Sequence, residues 1–192
     1  MTAILKKIAV YCGSNAGVRE EYAQQAYLLG MVLAMQGIDI ICGGGKVGLM
    51  KCVADGALDN GGRVIGVIPG FLNRTELAHE GLSQMIVVNT MHERKYRMSV
   101  MAQAFIALPG GYGTLDELFE IITWAQLGLH TKPVGILNTE GFYNSLLSFL
   151  DNMSAQAFLK PEHREMLLAA DNVPDLLDQL RAYQPIATGK WI

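Results

Sequence analysis

AFIALPGGYGTLDE, residues Ala104 to Glu117, joins a short, continuous apolar run to a glycine turn and then to the first residues of a helical pattern. Unbroken rather than alternating hydrophobicity is what a strand shows when helices cover both faces of its sheet, and such sheets are parallel. The same kind of run recurs on either side of this stretch. IAVYC (8–12), IDIIC (38–42), RVIGVI (63–68), MIVVN (85–89) and PVGIL (133–137) are separated by segments of helical period, and LLAA (167–170) offers a last strand. Asn172-Val173-Pro174 then opens a closing helix, DLLDQLRAY. The expectation is a doubly wound α/β fold: a parallel sheet with helices on both faces, formed by residues 1–192 as a single domain without linker or repeat.

Composition narrows the class of function. Hydrophobic residues make up 51% of the 192 residues and there are 21 glycines, an apolar content above that of an average soluble domain, which a subunit interface would absorb. The net charge of -3 supplies no basic field, so a general nucleic-acid binder is not expected. Cys12, Cys42 and Cys52 form no CxxC and read as reduced thiols. The apolar run near the N-terminus is too short to span a bilayer and lacks a signal-peptide layout, so the expected protein is soluble and cytoplasmic, with no membrane partner.

In a doubly wound sheet the ligand sits outside the carboxyl ends of the strands. Polar or glycine-rich turns follow the runs there: Gly13-Ser14-Asn15, GGGKVGLM (43–50), TMHERKYRM (90–98) and GGYGTLDE (110–117). Gly43, Gly45 and Gly48 fit GxGxxG, but no acidic residue ends the following strand to hold ribose hydroxyls, and Lys46 is not followed by Ser or Thr as a Walker loop requires. Tight turning and close helix packing explain these glycines equally well.

The turn at Gly110, Gly111 and Gly113 is more specific. Without β-carbons its backbone approaches an anion closely, and Thr114 then opens a helix whose free N–H groups and dipole favour a phosphate. A purely structural alternative makes Thr114 an N-cap and Glu117 its N3 partner in a capping box. Thr90 and Glu93 repeat that spacing, which places Arg94, Lys95 and Arg97 in the first turns of the next helix, where cations oppose the dipole and call for a nearby anion. Glu93 could instead offset Arg97 at i, i+4. Glu117 lies one turn inside the proposed phosphate helix, where a carboxylate suits the adjoining sugar; Glu120 reads as exposed, and Glu76 lies in a loop on the ligand side. His79, His92, His130 and His163 show no metal-ligand spacing, and no serine sits in GxSxG.

GGGKVGLM, MHERK and PGGYGTLDE, in this order and separated by strands, resemble the Lonely Guy family of cytokinin-activating nucleotide phosphoribohydrolases, and the resemblance runs from YCGSN (11–15) to ITWAQLGLHTKPVGILN (122–138). It implies a Rossmann-like fold, a homodimer or larger assembly, no metal or redox cofactor, and hydrolysis of the N-glycosidic bond of a purine riboside 5'-monophosphate to free base and ribose 5-phosphate. Carried over by position, the catalytic pair falls on Arg94 and Glu117, and the nucleotide contacts on Glu76, Arg94, Lys95, Gly110, Gly111, Tyr112, Gly113, Thr114, Leu115, Asp116 and Thr123. Asp116 replaces the glutamate common at its position. A non-catalytic nucleotide or cofactor carrier on the same fold is the main alternative. A nicotinamide oxidoreductase lacks its acidic residue, and a pyridoxal-phosphate decarboxylase would have to use Lys95 as its Schiff-base lysine.

Overall fold

The computed structural model describes residues 4–73 and 78–186. All seven apolar runs are strands: β1 (Lys7–Tyr11), β2 (Asp39–Cys42), β3 (Val64–Pro69), β4 (Gln84–Val88), β5 (Ala104–Ala107), β6 (Val134–Leu137) and β7 (Leu167–Ala170). They form one sheet in the order β4-β3-β2-β1-β5-β6-β7, and every pairing is parallel. The α-helices between and after them are α1 (Glu20–Met35), α2 (Gly48–Leu58), α3 (Met91–Met101), α4 (Tyr112–Gln126), α5 (Asn144–Ala155), α6 (Pro161–Arg164) and, beyond β7, α7 (Val173–Ala182).

Because side chains alternate across a strand, each run feeds two cores. Ile8, Val10, Ile40, Ala104 and Ile106 meet α1, α2 and α7 on one face. Ala9, Ile41, Phe105, Val134 and Ile136 meet α3, α4 and α5 on the other. Burial on both faces removes the need for alternation, which is why the strands read as unbroken apolar runs.

The chain order reverses between β1 and β5. β2, β3 and β4 step outward on one side of β1, and the chain then crosses back to lay β5 on its other side, with Tyr11 opposite Ala107. The connections from the carboxyl ends of these two neighbours lead to helices on opposite faces, α1 and α4, and the crevice at such a point is where open α/β sheets bind ligands.

Candidate active site

A cleft of about 470 Å³ opens at this switch point, within the range typical of small-molecule sites. The turn after β1 (Gly13 to Gly17), the start of α2, the first turn of α3 and the turn from Pro109 into α4 line it. The two turns are tied together: Gly13 N–H donates to the Pro109 carbonyl at 3.0 Å and Leu49 N–H to the Gly13 carbonyl at 3.0 Å. Gly48, with φ +57°, lies so close to the Ser14 and Asn15 backbone that a β-carbon would sit 2.3 Å from the Ser14 carbonyl carbon. Gly110 is equally confined, its β-carbon position 2.1 Å from Thr114 Oγ1.

The helix facing the cleft begins earlier than the sequence suggests. Gly111 is the N-cap of α4 and no side chain caps it, so Thr114 is already inside the first turn. Leu115 N–H bonds to the Gly111 carbonyl at 3.1 Å, and Thr114 and Glu117 do not form a capping box. The first N–H groups of α4 therefore have no capping side chain at a cleft-facing, positively polarised helix end. The same T-x-x-E spacing at Thr90 does cap its helix, since Thr90 Oγ1 accepts from Glu93 N–H at 3.1 Å and Glu93 Oε2 accepts from Asn89 N–H at 2.9 Å.

Freed from capping, Glu117 is buried in the cleft with Arg94: Nη2 lies 3.0 Å from Oε1. The alignment is poor for a hydrogen bond, and both Glu117 Oε1 and Arg94 Nε are buried without a hydrogen-bond partner. Burial pushes the Glu117 carboxyl up to about 6, against the opposing pull of Arg94. Arg94 reaches this position across Gly43, where a β-carbon would fall 2.2 Å from Nη2, and its Nη1 contacts the Met91 sulfur at 3.8 Å. That is a role for Gly43 which the GxGxxG reading does not contain.

Gly110, Gly111, Tyr112, Gly113, Thr114, Asp116, Glu117 and Arg94 all line the cleft. Lys95 does not; its buried ammonium group is bound by Asp116 and Glu120 at 3.1 Å each, so Glu120 is an ion-pair partner rather than the exposed residue expected. Leu115 and Thr123 lie on the outer side of α4, in a shallow depression with Tyr112, Phe119 and Trp124. Glu76 falls outside the described residues; beyond it, Ala78 bridges Gly45 and His79 Nε2 meets Asp55 Oδ1 at 3.1 Å. His92 and Arg97 are exposed. Among the described residues no cluster of His, Cys, Asp or Glu is arranged to hold a metal ion.

A family model described as "Possible lysine decarboxylase" matches residues 50–180. A cytokinin riboside 5'-monophosphate phosphoribohydrolase of Arabidopsis thaliana (LOG7) is 47% identical over 180 residues, covering 94% of this chain and 83% of that protein. A second from the same plant (LOG2) is 46% identical with 94% and 84% coverage, and a probable one of Oryza sativa subsp. japonica (LOGL9) is 45% identical with 94% and 80%. The chain belongs to the Lonely Guy family. Its fold extends beyond that family. The molybdenum cofactor carrier protein of Chlamydomonas reinhardtii superposes with a TM-score of 0.70 at 24% identity, over 93% of this chain and 99% of that one. A molybdenum cofactor binding protein of Rippkaea orientalis gives 0.68 at 22%, over 94% and 98%. At such identities the shared property is the fold.

Two parts of the cleft of this Lonely Guy chain escape sequence reasoning. Tyr22 on α1 and Phe142 after β6 both line it, with rings edge to face at 5.8 Å, and the loop carrying Phe142 is a fifth turn at the site. The signal in the sequence was the aromatic pair Phe142-Tyr143 following a strand on the ligand side of the sheet.

Proposed function

We propose that this chain hydrolyses the N-glycosidic bond of a purine riboside 5'-monophosphate, cytokinin-type or AMP, releasing the free base and ribose 5-phosphate. The observation that carries the reading is Glu117: a carboxyl buried beside Arg94, one helical turn from an uncapped, glycine-lined helix start, at the topological switch point. The 5'-phosphate would sit on the N–H groups of Gly111 to Thr114 and the Thr114 hydroxyl, where the helix dipole favours it. The ribose then lies over Glu117 and Arg94, and the apolar wall of Leu49, Met50 and Met91 is left for the base.

As the C1'–N bond breaks, positive charge builds on the sugar. Ionised Glu117 stabilises that charge, or polarises a ribose hydroxyl or the water that adds at C1'. Arg94 holds Glu117 ionised and orients the phosphate or the departing base. No lysine lines the cleft among the described residues, and Lys95 is held by two carboxylates, so Schiff-base decarboxylation finds no support. A pure carrier would have no use for a buried acid beside the sugar.

The free thiols Cys12, Cys42 and Cys52 fit a cytoplasmic protein, and no helix of the described residues is long and apolar enough to cross a membrane. We read residues 1–192 as one domain acting as a homodimer. The outer face of α4 supports the dimer: Leu115 and Thr123, which match nucleotide contacts of the family, point away from their own cleft, and Leu127 and Leu129 nearby are exposed. A monomer in sedimentation velocity at micromolar concentration would overturn that part.

The test of function is chromatography of reactions with AMP, isopentenyladenosine monophosphate, adenosine and a pyrimidine monophosphate. Base released from the purine nucleotides but not from adenosine is expected. Binding of AMP without release of base would favour the carrier. Glu117→Gln should bind AMP normally while losing about 10²- to 10⁴-fold in kcat; a wild-type rate removes Glu117 from the chemistry.

A further inference from the structure

The turn that presents the phosphate-facing N–H groups hangs from three consecutive backbone groups. Leu108 N–H donates to the Tyr11 carbonyl at 2.8 Å, and the Pro109 carbonyl accepts from Gly13 N–H at 3.0 Å. The third is the Leu108 carbonyl, which accepts from the Tyr143 hydroxyl at 2.6 Å. Leu108 and Tyr143 are both almost completely buried, so water does not replace this bond. Burial also pushes the Tyr143 hydroxyl well above its usual range, which keeps it a donor.

Tyr143 is itself held in place. Its N–H donates to Asn138 Oδ1 at 2.8 Å, while Asn138 Nδ2 donates to Asn144 Oδ1 at 2.9 Å and to Asp171 Oδ1 at 3.2 Å. Its ring meets that of Phe142, a cleft residue, edge to face at 4.9 Å. The residue before a proline is confined to extended backbone, so fixing the Leu108 carbonyl fixes the direction in which Pro109 and the glycines leave the strand.

We propose that Tyr143 is a positioning residue for the phosphate turn: its hydroxyl sets the orientation of Leu108–Pro109 and hence of the N–H groups from Gly111 to Thr114. It does not touch the substrate. The proposal rests on the phosphate site proposed above, and it predicts that Tyr143 acts on affinity for the phosphate rather than on bond cleavage.

The test compares the full-length wild-type protein with Tyr143→Phe, measuring Kd for ribose 5-phosphate and for adenosine by calorimetry, and KM and kcat for AMP. In Tyr143→Phe the Leu108 carbonyl loses its buried donor. Kd for ribose 5-phosphate and KM for AMP should rise together by about five- to thirtyfold. Adenosine affinity and kcat should stay within about threefold. Hydrogen exchange at Gly110 to Thr114 should quicken, whereas Leu33→Ala, a core change three turns along α1 from the cleft residue Tyr22, lowers Tm without moving Kd for ribose 5-phosphate.

An unchanged Kd for ribose 5-phosphate with only a lower Tm overturns the proposal, as does an equal loss of adenosine binding. Wild-type protein that binds ribose 5-phosphate but releases no base from AMP fails the hydrolase reading alone, and the binding comparison still decides the role of Tyr143. Wild-type protein that binds no ribose 5-phosphate overturns the phosphate site and with it the role of Tyr143, while release of base from AMP still decides the hydrolase reading.

Discussion

Replacing Arg94 with glutamine separates what Arg94 does to Glu117 from what it does to the substrate. Glu117 is held at about 6 because burial outweighs a guanidinium whose Nη2 is only 3.0 Å from Oε1. An opposite charge at such range lowers a carboxyl by about 1 to 3 pH units, so removing it should carry Glu117 to somewhere about 7 to 9. The ionised fraction at pH 7 would fall from about nine-tenths to between about one-half and one-hundredth. Activity at neutral pH should drop about two- to hundredfold from ionisation alone and return as the pH is raised toward 9.5. The phosphate of the substrate itself titrates near pH 6, which clouds a rate profile. The decisive measurement is therefore the carbon-13 carboxyl titration of the free protein, with the Glu117 resonance assigned by its loss in Glu117→Gln. A midpoint still near 6 in Arg94→Gln would refute the electrostatic coupling. A rate deficit that persists at high pH, with the midpoint moved, assigns Arg94 a direct contact with phosphate or base.

Three further outcomes are expected. Folding raises Glu117 from its ordinary 4.5 to about 6, so the native state holds the proton more tightly; stability falls by about 2 kcal/mol as pH rises through that window. Urea unfolding of Glu117→Gln across pH 4 to 7 should lack that fall. Thr114→Val, which keeps the buried shape but removes the hydroxyl, should weaken AMP binding about ten- to hundredfold and leave adenosine binding unchanged in calorimetry. Gly30→Ala should lower Tm by several degrees in scanning calorimetry, because its β-carbon would lie 2.1 Å from the Val53 carbonyl oxygen where α1 crosses α2, and overpacking of this kind costs about 1 to 3 kcal/mol.

The two T-x-x-E segments show where sequence reasoning held and where it gave way. At Thr90 the preceding residues are extended and the hydroxyl is free to cap, as the spacing suggests. At Thr114 the same letters sit inside a helix already begun at Tyr112, because the extended backbone of an N-cap falls on Gly111, three residues earlier. Helix starts are set by backbone angles several residues upstream, which a side-chain motif does not encode. At the start of α3 the dipole calls for an anion near Lys95, and the fold supplies two carboxylates from the neighbouring helix, Asp116 and Glu120.

By itself the sequence determined the seven apolar runs that are strands among the described residues, the helices that cover both faces of the sheet, and the glycine-rich turns that gather at the carboxyl ends of the strands. Each of these follows from local patterns of burial, which apolar runs and glycines report directly. Only the tertiary structure decided that β5 lies beside β1, so that the Gly13 and Gly110 turns become neighbours. It alone brought Arg94 across Gly43 to Glu117, and set Tyr143 beneath Leu108. Strand order and the partners of buried polar groups depend on contacts between residues far apart in the chain, and no local period carries that information.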